Sequence, residues 1–133
     1  MEFDIDKNVK DTRDSYKHLE VEVDQSYESN VTDEVYPKDC YSKSWDYMLN
    51  HHIPNMVLIH GHFMYKDMIS VDHAWVEIGN VLFDGVYQRF YDKEMYYDKL
   101  GLVEDFKYTK DQAMDYGINT GLKGPWERTK RFP

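Results

Sequence analysis

Only one cysteine, Cys40, stands among the 133 residues. No intrachain disulfide can form, and a reducing compartment suits the chain best. No apolar run approaches the ~20 residues that a membrane span requires. Met1-Glu2-Phe3-Asp4 is acidic and lacks the apolar stretch of a secretory signal. A soluble, cytoplasmic protein without membrane partners is therefore expected. Bases are scarce: 16 Lys and Arg face 25 Asp and Glu, for a formal charge of −9. Phosphate backbones repel such a chain, which excludes nucleic acid as the main ligand. There is no HExxH or CxxC motif, no internal repeat and no low-complexity tract.

Apolar and aromatic residues are present in quantity. Hydrophobic residues make up 41% and aromatic residues 16%, with twelve tyrosines, which suits one folded domain over residues 1–133 with a real core. The charge is uneven. Residues 1–39 hold twelve acids against five bases, and the last eleven residues hold Lys123, Arg128, Lys130 and Arg131 against Glu127. We expect an acidic N-terminal arm over 1–35, a core over 36–122 and a basic tail over 123–133. Solvation is the plain reading of both ends, and a basic protein partner would also suit the acidic arm.

Residues 1–35 are polar and weakly patterned. Asp14–Glu22 would make a short helix, whereas the alternation of Leu19, Val21 and Val23 favours a strand. Pro37-Lys38-Asp39 reads as a turn with Asp39 as helix N-cap. Tyr41, Trp45, Met48 and Leu49 then form a helical stripe, with His51 and His52 near its end and Pro54 as its stop. Cys40 thus falls in the first turn of an amphipathic helix. Residues 55–65 read as a strand with Gly61 as a bulge, and residues 66–70 as a loop. Val71–Ile78 and Val81–Tyr87 read as strands joined by the hairpin signal Gly79-Asn80. Residues 88–116 read as helical or mixed, with Tyr91, Met95 and Tyr96 on one face and a short helix over Asp111–Tyr116. Residues 117–124 read as loop. The order predicts an α+β domain.

A thiol attacks as the thiolate, and a free cysteine near pKa 8.5 is mostly protonated at neutral pH. A helix N-terminus and a neighbouring imidazolium both favour the anion, and the N-terminal N–H groups can hold an oxyanion. The hairpin supplies the imidazole. With Gly79-Asn80 as its loop, Ile78 faces Val81, Trp75 faces Asp84 and His73 faces Val86. His73, Trp75, Glu77, Leu82, Asp84 and Val86 then share one face. His73 and Asp84 become diagonal neighbours, with Cα atoms about 7–8 Å apart. A carboxylate there can orient the imidazole and stabilise its charged form. The expected triad is Cys40, His73 and Asp84.

His73-Ala74-Trp75-Val76-Glu77 followed by Gly79-Asn80-Val81-Leu82-Phe83-Asp84 resembles the histidine and aspartate strands of transglutaminase-like proteins. Asp39-Cys40-Tyr41-Ser42-Lys43-Ser44-Trp45 is similar to that family's nucleophile helix. The resemblance covers about residues 36–90. It implies a minimal papain-like fold, a nucleophile helix packed on an antiparallel sheet. It also implies Cys40 as nucleophile, His73 as general base and acid, and Asp84 as orienter. Gly85 stands where many relatives have proline, Tyr41 replaces the usual tryptophan after the nucleophile, and the interval from Cys40 to His73 is short.

The expected chemistry is a thiol hydrolase or acyltransferase acting on an amide, isopeptide or thioester, without cofactor. Its substrate would be a protein, a peptide or a small acyl donor. Tyr36, Tyr41, Trp75, His60 and His62 are the expected substrate contacts, with Tyr36 or the Cys40 N–H as oxyanion donor. Tyr87, Tyr91, Tyr96 and Tyr97 read as core and rim. Two other readings stand beside this one. His60 and His62 share a strand face, a spacing that zinc sites use. A small acidic domain of this kind, suited in size and tyrosine content to a virus or phage, would also serve as a non-catalytic protein-binding inhibitor or adaptor.

Overall fold

The structure, a computed structural model, describes residues 4–127. Arg128, Lys130 and Arg131 of the basic tail, and Met1–Phe3 at the start, lie outside the described residues. Among the described residues are four α-helices and a five-stranded antiparallel sheet, an α+β architecture.

The sheet order is β4-β3-β2-β1-β5. Strands β1 (Met56–Tyr65) and β2 (Ile69–Ile78) are ten residues each and pair along their whole length. Lys66 and Asp67 between them both have positive φ, 53° and 55°, as hairpin turns demand. Gly79-Asn80 leads into β3 (Val81–Asp84), with Ile78 opposite Val81, Glu77 opposite Leu82 and Val76 opposite Phe83. That register places His73, Trp75 and Glu77 on the same face as Leu82 and Asp84. At Gly61 the pairing with β5 (Val103–Thr109) shifts by one residue. A Cβ at Gly61 would lie 2.1 Å from the Val103 carbonyl oxygen, so only glycine fits the bulge.

β3 stops at Asp84 rather than running to Tyr87. Gln88 N–H donates to Asp84 O at 2.8 Å, and Gln88 has φ 56°, so the chain turns back at once into β4 (Arg89–Asp92). The stretch read as helical or mixed therefore contains two strands, β4 and β5, between which lies α3 (Lys93–Leu100). α4 (Lys110–Thr120) begins with a Thr109–Gln112 capping box and runs past Gly117. Gly117 is helical because it faces Trp45, whose ring would lie 2.7 Å from an added Cβ.

The sheet is covered on both faces. On one, Tyr47 and Met48 of α2 (Cys40–Asn50) pack on Leu58, Val76, Ile78 and Phe83. On the other, Tyr96 of α3 and Leu19 pack on Ile59, Trp75, Leu82 and Tyr91. Burying a side chain such as Leu58 or Phe83 contributes roughly 1.5–3 kcal/mol relative to exposure.

The acidic arm is structured against this core. α1 (Ile5–Ser15) is capped by Asp4, which accepts from Lys7 N–H. Arg13 is buried and donates from Nη1 to the carbonyls of Asp33 and Tyr87, at 3.0 and 3.1 Å. A single turn of helix follows at Lys17–Leu19, and Glu20 bridges to Tyr91. Among the described residues, no helix is long and apolar enough to cross a membrane.

Candidate active site

Cys40 is the first residue of α2, and a turn delivers it there. Asp39 N–H donates to Tyr36 O at 3.2 Å, with Lys38 between them at φ 65°. Asp39 occupies the N-cap position but makes no side-chain capping hydrogen bond. The first-turn N–H groups, which no helical carbonyl can satisfy, point out of the positive end of the helix. Cys40 is 7% exposed and packs on Ala74 and Val86.

β3 pairs with β2 only over Val76–Ile78, while β2 continues outward to Ile69. The start of α2 reaches His73 beside the stretch of β2 that β3 leaves uncovered. His73 Nε2–H donates to Asp84 Oδ2 at 2.7 Å. Nδ1 is then the nitrogen left to face Cys40, whose thiol lies close enough to raise the His73 pKa. Trp75 lies tilted beside the imidazole at 5.8 Å between centroids, and Phe63 meets it edge-on at 6.0 Å.

The charges reinforce one another. Burial alone would lower the His73 pKa, but the Asp84 charge, the Asp84 hydrogen bond and the Cys40 contact outweigh it and raise it to about 10. Burial alone would raise Asp84. The imidazolium, its hydrogen bond, the Tyr96 hydroxyl and the Val86 N–H hold it below the ordinary carboxylate range instead. At neutral pH the pair is imidazolium and carboxylate.

Asp84 is completely buried and held from three directions. Oδ2 accepts from His73 and from Tyr96 O–H at 2.7 Å, and Oδ1 accepts from Val86 N–H at 3.0 Å. Gly85 lets this corner lie against α2, since a Cβ there would come 2.6 Å from Lys43 Cβ. Glu77 does for Trp75 what Asp84 does for His73. It accepts from Trp75 Nε1–H at 2.9 Å and from the Tyr97 hydroxyl, and it pairs with Lys93 Nζ at 3.0 Å.

Cys40 and His73 open onto a cleft of about 290 Å³. Ile5 and Val9 of α1 form one wall, Phe63 and Val71 another, and Val86 and Tyr87 a third.

The structure brings Cys40, His73 and Asp84 together. Among the described residues lining the cleft none of the five expected substrate contacts occurs, although Tyr41 packs against the Cys40 cluster and Trp75 lies beside His73. Tyr36 places its ring under Lys43 Nζ at 4.0 Å and lines a separate pocket with Tyr47 and His51. Trp75 is buried beside His73. His60 pairs with Ala74 across the strands, on the sheet face that α2 covers, and lies among Tyr41, Tyr108 and Trp126. His62, on that same face, hydrogen-bonds Asp105 at 2.7 Å through Nδ1. Parity along β1 thus directs both histidines away from His73. His51 does not extend a metal set, because its nitrogens lie against Tyr47 O and Ser29 O at 2.7 and 2.9 Å. Among the described residues no group of three or more His, Cys, Asp or Glu is placed to hold a metal ion.

Sequence reasoning did not single out Tyr96 as a partner of Asp84, or Ile5 and Val9 as cleft walls. The 5, 9, 13 spacing was a usable signal, but Arg13 in the buried position hid the stripe. Comparison with family models, with curated proteins and with solved structures gives no match to this chain.

Proposed function

We propose that the protein is a thiol hydrolase or acyltransferase that forms an acyl-enzyme on Cys40. The observation that carries this reading is that Cys40, at a helix N-terminus, shares a cleft with His73, which is hydrogen-bonded to buried Asp84. The order of the three residues and the helix-on-antiparallel-sheet layout support a papain-like, transglutaminase-like core.

The thiolate attacks the carbonyl carbon of an amide, isopeptide or thioester. The N–H groups at the start of α2 would hold the developing oxyanion. His73, as imidazolium, gives its proton to the departing amine or thiol as the bond to carbonyl carbon breaks. Water or an acceptor amine then gives a proton to His73 and attacks the thioester, and the carbon–sulfur bond breaks to return the thiolate. Asp84 keeps the imidazole oriented through both halves.

Alkylation by iodoacetamide, followed from pH 5 to 9, tests the reading. The wild-type thiol should react fast well below pH 8, and His73→Ala should slow it tenfold or more at pH 6. A wild-type profile matching that of a free thiol would end the enzyme assignment.

The low exposure of Cys40 favours a second reading, a binding protein on the same fold whose acidic arm meets a basic protein partner. Its mark would be a Cys40→Ala variant that retains full biological effect.

A further inference from the structure

The walls around the nucleophile carry information about what reaches it. Ile5, Val9, Phe63, Val71, Val86 and Leu100 line the cleft beside Cys40 and His73. The helix α1 supplies two of these from one face, at positions four apart. Lys38 and Asp72 are exposed at the rim, with opposite charges. Tyr16 and Tyr87 also line the cleft, so a primary amide or carboxylate side chain held among these walls would exchange its water shell for two hydroxyls at most besides the rim charges. At about 290 Å³ the space is at the small end of ligand sites.

We infer, on the basis of the acyl-transfer reading, that this cleft holds the acyl group and that its occupant is apolar. The substrate class is an acyl donor whose carbonyl carries a short aliphatic or aromatic group, of the size of a leucine or phenylalanine side chain or a six-carbon chain. Polar glutamine-like acyl groups are disfavoured. The walls contributed by α1 make the N-terminal helix part of the specificity surface rather than a detached arm.

The bound group lies along Val9 and Val71 while its carbonyl carbon meets Cys40 Sγ. With a p-nitrophenyl ester, the sulfur–carbon bond forms and the carbon–oxygen bond to the nitrophenolate breaks. The nitrophenolate leaves with the electron pair, and the proton stays on His73. His73 then releases that proton to solvent and serves as base for the water that hydrolyses the thioester.

The test is the rate of nitrophenolate release from the full-length protein with p-nitrophenyl acetate, butyrate, hexanoate and hemisuccinate, each repeated with Cys40→Ala. Burial of each methylene should raise the Cys40-dependent acylation rate by roughly fourfold until the cleft is filled. The anionic hemisuccinate should fall below the butyrate. Val9→Asp should lower the ratio of hexanoate to acetate rates by about tenfold, and Val71→Asp should do the same, with circular dichroism showing that each variant is folded. A Cys40-dependent rate that is flat across the esters, or highest for hemisuccinate, would overturn the apolar cleft while leaving the thiol chemistry intact. Release equal in wild type and Cys40→Ala for every ester would overturn both.

Discussion

The Tyr96 hydroxyl reaches Asp84 from α3 and donates to Oδ2 at 2.7 Å, the same oxygen that accepts from His73. One atom of a completely buried carboxylate thus has two donors, and a side chain twelve residues downstream helps to set how strongly His73 is held. Burial and the adjacent Asp84 charge raise the Tyr96 pKa well above the ordinary phenol value, so Tyr96 stays a neutral donor.

Tyr96→Phe should keep the ring stacked on Tyr91, 4.3 Å away, and remove only the hydroxyl. Losing a hydrogen bond to a buried charge should cost about 1.5–3 kcal/mol of stability. Because that bond helps to hold Asp84 low, the acidic limb of the alkylation profile should move to higher pH. Urea melts and iodoacetamide rates against pH give both readouts. An unmoved acidic limb in a destabilised variant would reduce Tyr96 to a packing role.

Gly85→Ala tests the approach of the Asp84 corner to α2. The new Cβ would lie 2.6 Å from Lys43 Cβ and 3.1 Å from the Lys43 carbonyl carbon, so helix backbone must move. Overpacking of this kind costs about 1–3 kcal/mol. Because α2 carries Cys40, alkylation at pH 6 should slow as well. Stability loss with an unchanged rate would show that Cys40 does not depend on this contact.

Much of the centre was legible because it rests on local signals. Gly79-Asn80 sets a two-residue turn, and alternation along β2 and β3 then places His73 beside Asp84. Cys40 was placed by the stripe Tyr41, Trp45, Met48 and Leu49. The elements that went unread depend on contacts distant in sequence. β4 follows a turn in which the positive φ falls on Gln88 rather than on Gly85. β5, Val103 to Thr109, is an edge strand whose exposed and buried residues do not alternate strictly across its bulge, and it fell within the stretch read as helical or mixed. α1 hides its inward face because Arg13 is satisfied by two carbonyls that only folding brings near. The expected substrate contacts were chosen by residue type, and strand parity sent His60 and His62 to the other face.

Two histidines should set the pH of greatest stability. His73 is raised from 6.5 to about 10, so folding favours its protonated form. That contribution is complete below pH 6.5 and is lost as pH rises toward 10. Asp84, held below 3.8, contributes above about pH 4 and loses that contribution only as pH falls through its folded value. His60 acts in the opposite direction to His73. Burial lowers it from 6.5 to about 4, so the unfolded chain takes up the proton first and stability falls as pH drops from 6.5 toward 4. Urea midpoints measured from pH 5 to 9 should peak between 6 and 7. Asp84→Asn should weaken the decline above the peak. Midpoints that climb steadily to pH 9 would contradict the protonated state of His73.

His60→Leu isolates the acidic side of that peak. His60 is 2% exposed, and among the described residues neither ring nitrogen has a hydrogen-bond partner. Its neighbours are the rings of Tyr41, Tyr108 and Trp126, at 4.9, 5.0 and 5.1 Å between centroids. Replacing an unsatisfied buried polar group by an apolar one of similar size is close to neutral or stabilising. The lost ring contacts offset part of the gain, so at pH 7.5 the variant should lie within about 1 kcal/mol of wild type. Below pH 6.5 the two should part. Wild type loses about 1.4 kcal/mol per pH unit from this residue and the variant loses nothing from it, so at pH 5 the variant should lead by about 2 kcal/mol more than at pH 7.5. An equal difference at both pH values would mean that His60 takes up a proton in the folded protein as readily as in the unfolded chain.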